Sequence, residues 1–123
     1  MAKHKILIVD DSKAMRLIVR RTLRQAGFDD LDVSEAANGK EAFETISAAA
    51  FDLVLSDWNM PEMTGIELLN ALRASNNPVQ LGFVTTEGTP EMRAAASAAG
   101  ASFLIAKPFT SETFHQVLGK VLG

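Results

Sequence analysis

The sequence predicts an α/β fold: one open, parallel, doubly wound sheet with helices on both faces. Three observations predict it. Five short apolar runs alternate with five stretches of helical patterning, the order of a chain that crosses over after every strand. Some runs are continuous, such as Ile6-Leu7-Ile8-Val9 and Leu53-Val54-Leu55. Continuous runs mark strands covered on both faces. Four of the five runs also end alike, passing from apolar residues into carboxylates, hydroxyls or a lysine: Asp10-Asp11, Asp57, Thr85-Thr86 and Lys107.

The elements follow in order. A first strand at about 4–9 runs into Asp10-Asp11. Ser12 can cap the first helix and Gly27 can end it. Asp29, Asp30 and Asp32 suggest a broken calcium loop, but no Gly and bidentate Glu follow at the required spacing. They read as a surface turn before a second strand at about 31–36. Asn38 with Glu41 and Thr64 with Glu67 have capping-box spacing, on either side of a third strand at about 52–57. A fourth strand at about 80–85 precedes Thr89-Pro90, a cap followed by proline at the first helical position. Ala94 to Ala101 is alanine-rich, which favours helix and close packing. A fifth strand at about 102–106 ends at Lys107-Pro108, and Thr110 can start the last helix. Phe114, Val117, Leu118 and Val121 share one face of that helix, as core or partner surface.

Parallel strands joined by right-handed crossovers bring their carboxyl ends to one edge of the sheet, where open α/β folds bind ligands. Asp10, Asp11, Asp57, Thr85 and Lys107 share that address. Three clustered carboxylates repel one another at neutral pH. A hard divalent cation such as Mg²⁺ relieves the repulsion and is held by one or two carboxylates with phosphate oxygens and water. Lys107 adds a compact positive charge suited to phosphate, and carboxylate is a known phosphoryl acceptor.

These four separated elements, Asp10-Asp11, Asp57, Thr85 and Lys107-Pro108, stand in one order along the whole chain. On them the chain resembles the response regulator receiver domains of two-component signalling, and Ser56-Asp57-Trp58-Asn59-Met60-Pro61 is especially close to chemotaxis members. The resemblance implies a flavodoxin-like (βα)5 fold with strand order 2-1-3-4-5, spanning 1–123 as one receiver domain. Asp57 would accept a phosphoryl group from a phosphohistidine on a sensor histidine kinase or a histidine phosphotransfer domain. Asp11 would ligate Mg²⁺ directly, Asp10 through water, and Asn59 through its backbone carbonyl, with Asp57 also at the metal. Lys107 would pair with the phosphoryl oxygens, and Thr85 would close on them. Asn59, Thr86 and Glu87 would modulate the lifetime of the phosphoryl state. The Lys107-Pro108 peptide bond would be cis. Such a domain is not an enzyme beyond its own phosphorylation and dephosphorylation. It would pass the signal to a downstream protein through the fourth helix, fifth strand and fifth helix, as a monomer.

One position departs from the family pattern. Three residues before the conserved lysine, receivers of this type carry Tyr or Phe, and here stands Leu104. Phe103 is adjacent, but alternation along a strand points it to the other face. This predicts a muted rearrangement, and makes a phosphate-sink or relay role an alternative to regulation of a flagellar motor. A fragment of a larger regulator would read alike. Two further classes are weaker. An aspartyl-nucleophile phosphatase of the haloacid-dehalogenase type needs a second Asp where Asn59 stands. A degenerate receiver that only binds would not keep the full acidic, Thr and Lys set.

Composition agrees. The chain of 123 residues is 47% hydrophobic, has no cysteine, and carries net charge −3 from 12 basic and 15 acidic residues. That balance gives no footprint for nucleic acid, and no apolar run approaches the roughly 20 residues that span a membrane. The expected location is cytoplasmic. Arg16, Arg20 and Arg24 recur every four residues as a basic stripe, expected to be a solvated face or else a docking surface for an acidic partner. His4 and His115 have no ligand neighbours in sequence. Trp58, the single tryptophan, adjoins Asp57 and is a natural reporter.

Overall fold

The computed structural model describes residues 4–28, 30–86 and 88–122. The readings of Asp29 and Glu87 lie outside the described residues. Strands and helices alternate without exception: β1 (His4–Val9), α1 (Lys13–Gln25), β2 (Leu31–Ala36), α2 (Gly39–Ala48), β3 (Leu53–Ser56), α3 (Gly65–Ala74), β4 (Leu81–Thr85), α4 (Pro90–Ala99), β5 (Phe103–Ala106) and α5 (Ser111–Leu122). The five strands form one sheet in the order β2-β1-β3-β4-β5, and every pairing is parallel. This is the flavodoxin-like, doubly wound arrangement the sequence predicts.

The period-2 alternation of the strands sorts side chains into two cores. Leu7, Val9, Val54, Leu81 and Phe83 pack with α2, α3 and α4, through residues such as Ile46, Leu68, Leu69 and Ala96. Ile6, Ile8, Leu53, Leu55, Val84 and Ile105 pack with α1 and α5, through Val19, Leu23, Phe114 and Leu118. The apolar face of α5 is therefore core. The central strands are buried on both faces, which is why their sequences run apolar without interruption. β5 obeys the same rule: Leu104 packs in the first core and Phe103 against the second. The ring of Phe103 fills the space where a side chain at Gly82 would stand, so glycine is needed opposite it.

Each helix start is capped as its sequence predicts. Ser12 accepts from the Met15 N–H at 3.2 Å, Asn38 from Glu41 at 2.8 Å, Thr89 from Met92 at 3.1 Å and Thr110 from Thr113 at 3.2 Å. Thr64 and Glu67 close a reciprocal box at 2.9 and 3.3 Å. Such caps contribute about 1 kcal/mol each, and here they fix where each loop at the strand ends turns into helix. Gly27 and Gly100 follow α1 and α4 at φ 97° and 93°, a left-handed conformation that favours glycine.

Candidate functional site

The ends of β1, β3 and β5 converge at one edge of the sheet. Asp10, buried, and Asp11, exposed, follow β1, and Asp57, half-buried, follows β3. Each of the three offers a carboxylate oxygen, and these oxygens lie within 4.8 Å of one another. Lys107 follows β5, with Nζ 3.6 Å from Asp10 Oδ2 and 3.9 Å from Asp57 Oδ1. Thr85 ends β4 fully buried, and its carbonyl accepts the Lys107 N–H at 2.6 Å. That bond continues the β4–β5 ladder and sets where the lysine leaves the sheet. The Lys107-Pro108 peptide bond is cis, as expected. Asn59 and Thr86 are exposed on neighbouring loops. The topology thus gathers Asp10, Asp11, Asp57 and Lys107, with Thr85 beside them.

Backbone donors orient the carboxylates. Ser12 N–H donates to Asp10 Oδ1 at 2.9 Å, and Trp58 N–H donates to Asp57 Oδ1 at 2.8 Å. Asp57 N–H in turn donates to the Val9 carbonyl at 2.9 Å, so the loop after β3 is tied to β1. The Trp58 ring packs on Phe83 with centroids 4.8 Å apart. Gly65, first in α3, lies against the Asp57 carbonyl and the Phe83 ring, where a Cβ would collide. Its N–H donates to the Trp58 carbonyl at 2.8 Å. Glycine there is the condition for α3 to approach the acidic loop.

Burial pushes both the Asp10 and Asp57 carboxyls above the ordinary carboxylate range. Lys107 and the backbone donors pull the other way, and the neighbouring aspartates add to the rise. The site is therefore short of positive charge. Its donor set is oxygen only, three carboxylates with Lys107 at one side, which fits a hard divalent cation and not a soft metal.

Of the basic stripe on α1, Arg24 is exposed as a solvated face would be, but Arg16 and Arg20 are paired within the molecule. Arg16 Nε donates to Glu35 Oε1 and Arg20 Nη1 to Glu35 Oε2, both at 2.7 Å. Arg16 Nη1 also donates to the Asp10 carbonyl at 2.6 Å. Glu35 lies on β2 beside Ile8 of β1. Burial raises its pKa, but the two arginines outweigh that and hold it below the usual range. Sequence reasoning missed Glu35. The available signal was a carboxylate inside the strand Leu31–Ala36, which needs a cation once half-buried. The histidines bind no common partner: His4 Nδ1 lies 3.9 Å from Asp52, and His115 Nδ1 lies 3.0 Å from the Ala26 carbonyl.

The sequence profile of the response regulator receiver domain matches residues 6–119. The chain belongs to that family. It is 43% identical over 122 residues to the chemotaxis protein CheY1 of Helicobacter pylori, covering 97% of each chain. It is 40% identical to a CheY homolog of Campylobacter jejuni, covering 97% of this chain and 92% of that one. The crystal structure of the Vibrio cholerae chemotaxis protein CheY4 superposes with a TM-score of 0.85 at 39% identity, covering 98% and 99% of the two chains. The chain is thus a CheY-like receiver domain of two-component signalling, its acidic pocket of Asp10, Asp11 and Asp57 consistent with a phosphorylation site. Membership implies a histidine kinase partner. Among the described residues no helix is long and apolar enough to cross a membrane.

The raised carboxyls predict a pH dependence. A carboxyl whose folded pKa exceeds its unfolded value of about 3.9 keeps its proton longer in the folded state. Its contribution to stability then declines as pH rises from that value through the folded pKa. Asp57→Asn removes one such group. It should melt higher than the unsubstituted protein at pH 7 in EDTA and lose that advantage near pH 3. Thermal melts at the two pH values check this, and a variant that melts lower at pH 7 contradicts it.

Proposed function

We propose that the protein is a phosphorylatable receiver in which Asp57 takes a phosphoryl group from a phosphohistidine of a sensor kinase. The observation that carries the reading is Lys107 Nζ at 3.6 and 3.9 Å from Asp10 and Asp57, beside three converging carboxylates. An Asp57 carboxylate oxygen attacks the phosphorus in line. The N–P bond breaks as the O–P bond forms, and its electron pair returns to the imidazole. Little else is asked of the protein than position and charge. Lys107 pairs with the phosphoryl oxygens, and the Thr85 hydroxyl contacts them once the loop after β4 moves. Asp10, Asp11, Asp57 and the Asn59 carbonyl would hold Mg²⁺. When bound, that ion neutralises charge gathering on the phosphoryl oxygens. The product is a mixed anhydride, open to hydrolysis at phosphorus. Asn59, Thr86 and Glu87 would set how fast water reaches it.

A groove beside Lys107, lined by Met15, Ile18, Thr86, Lys107, Pro108 and Phe109, supports a protein as the phosphodonor. Ile18 of that lining and the adjacent Leu17 are the large apolar side chains exposed among the described residues. The reading places residues 1–123 as one receiver domain, monomeric and cytoplasmic, with chemotaxis-like signalling as its setting.

One observation favours a second reading of the pathway role. Leu104 packs on the α4 side of the sheet and Phe103 on the opposite side, so no aromatic ring stands where the family's switch residue would be. A phosphate sink or relay receiver needs no large rearrangement there.

Purified protein with Mg²⁺ and acetyl phosphate should gain one phosphoryl group that hydroxylamine removes. Asp57→Asn should abolish the gain, read by intact mass. Full labelling of that variant would refute the acceptor assignment. Lys107→Ala should still bind Mg²⁺ but lose most of its conformational response to phosphorylation.

For Leu104, the measurement is affinity for a flagellar-switch peptide with and without beryllofluoride. A gain well under about tenfold, or 1.4 kcal/mol of coupling, is expected. A larger gain would show that leucine does not blunt the switch.

A further inference from the structure

Asp11 is exposed, and no hydrogen bond or ion pair holds its carboxylate among the described residues. With nothing holding the carboxylate itself, the backbone that carries it sets the direction in which its Cα–Cβ bond leaves the chain. The peptide plane between Asp10 and Asp11 therefore decides whether this side chain starts within reach of the cluster. That plane has one acceptor, the Asp10 carbonyl, and Arg16 Nη1 donates to it at 2.6 Å. The N–H on the other side of Asp10 donates to the Ala36 carbonyl of β2 at 3.2 Å. Arg16 itself does not swing freely. Its Nε is bonded to Glu35 Oε1, while Arg20 takes Glu35 Oε2, both at 2.7 Å. A chain of contacts thus runs from Arg20 through Glu35 and Arg16 to the Asp10 carbonyl.

We infer that Arg16, held by Glu35, is a positioning residue for metal binding. It fixes the Asp10–Asp11 peptide so that Asp11 is presented to the cation. The inference rests on Asp10, Asp11 and Asp57 being the Mg²⁺ ligands. Groups that orient metal ligands commonly change metal affinity by about 10–100-fold when removed.

Charge and position predict opposite signs, which makes the inference testable. Arg16 is a cation near three carboxylates. If only its charge mattered, Arg16→Met would strengthen Mg²⁺ binding, because a competing positive charge is gone. Positioning predicts weaker binding. Arg16→Lys keeps the charge, but its single ammonium does not reproduce the planar fork that meets Glu35 and the carbonyl together. The double variant Arg16→Met/Glu35→Gln removes one positive and one negative charge and still leaves Arg20 an acceptor. Its net electrostatic effect is small and no carboxylate is stranded. Arg20→Gln is the control, because it loosens the same clamp without touching Asp10.

The experiment is a Mg²⁺ titration of the whole protein by Trp58 fluorescence, with a thermal melt of each variant to show that it is folded. Arg16→Lys and the double variant should each bind Mg²⁺ about tenfold more weakly, and Arg20→Gln within about twofold of the unsubstituted protein. With acetyl phosphate, the half-saturating Mg²⁺ should rise by the same factor. Maximal uptake should hold within about twofold, since Arg16 touches neither the acceptor nor the phosphoryl group. A loss of less than about threefold in the double variant overturns the inference, as does an equal loss in Arg20→Gln. If the unsubstituted protein itself shows no saturable response, the metal reading fails, a result distinct from variants that all bind alike.

Discussion

Lys107 stands 3.6 Å from Asp10 and 3.9 Å from Asp57, and this ammonium is what makes three carboxylates tolerable at one sheet edge. Two parallel strands, β1 and β3, end there and place those carboxylates, and the lysine follows β5, with its N–H held by Thr85 of β4. Burial raises the cost of ionising Asp10 and Asp57, and one lysine does not offset it. The remaining deficit of positive charge is the chemical property on which the function depends. On the proposed reading a divalent cation supplies that charge, to the carboxylates and to the oxygens of an incoming phosphoryl group. The dimensions of the site follow from the ladder: Thr85 binds the Lys107 N–H, and Asp57 binds the Val9 carbonyl.

Much of this was legible in the sequence. Apolar runs that stop at Asp10-Asp11, Asp57, Thr85 and Lys107 gave both the strands and the site, because a buried parallel strand is uniformly apolar and its end is not. Helix starts were legible because capping is local: Ser12, Asn38, Thr64, Thr89 and Thr110 each act within three residues. The Arg16–Glu35–Arg20 clamp was not legible. Nineteen and 15 residues separate its ends in sequence, and only the β1–β2 register brings Glu35 beneath α1. Periodicity showed a basic stripe and had no means of showing what faced it. The same limit hid Gly82 beneath Phe103, a contact made across two strands.

The two faces of the sheet divide the labour. On the α1 and α5 side, Arg16 and Glu35 tie β2, α1 and the Asp10–Asp11 loop together. On the α3 and α4 side, Leu104 and Arg93 lie near the surface. Arg93 donates to the carbonyls of both Gly88 and Leu104 at 3.2 Å, bridging the loop after β4 to the edge strand. Leu104 packs on the second side and Glu35 pairs with Arg16 and Arg20 on the first.

The central claim is that the acidic cluster is a cation site coupled to Asp57. Trp58 tests it directly, since its N–H holds Asp57 Oδ1 and its ring packs on Phe83. Adding Mg²⁺ to the unmodified protein should change Trp58 fluorescence saturably, and Asp11→Ala should abolish the change. A spectrum unmoved by Mg²⁺, or a response that survives Asp11→Ala intact, would contradict the account.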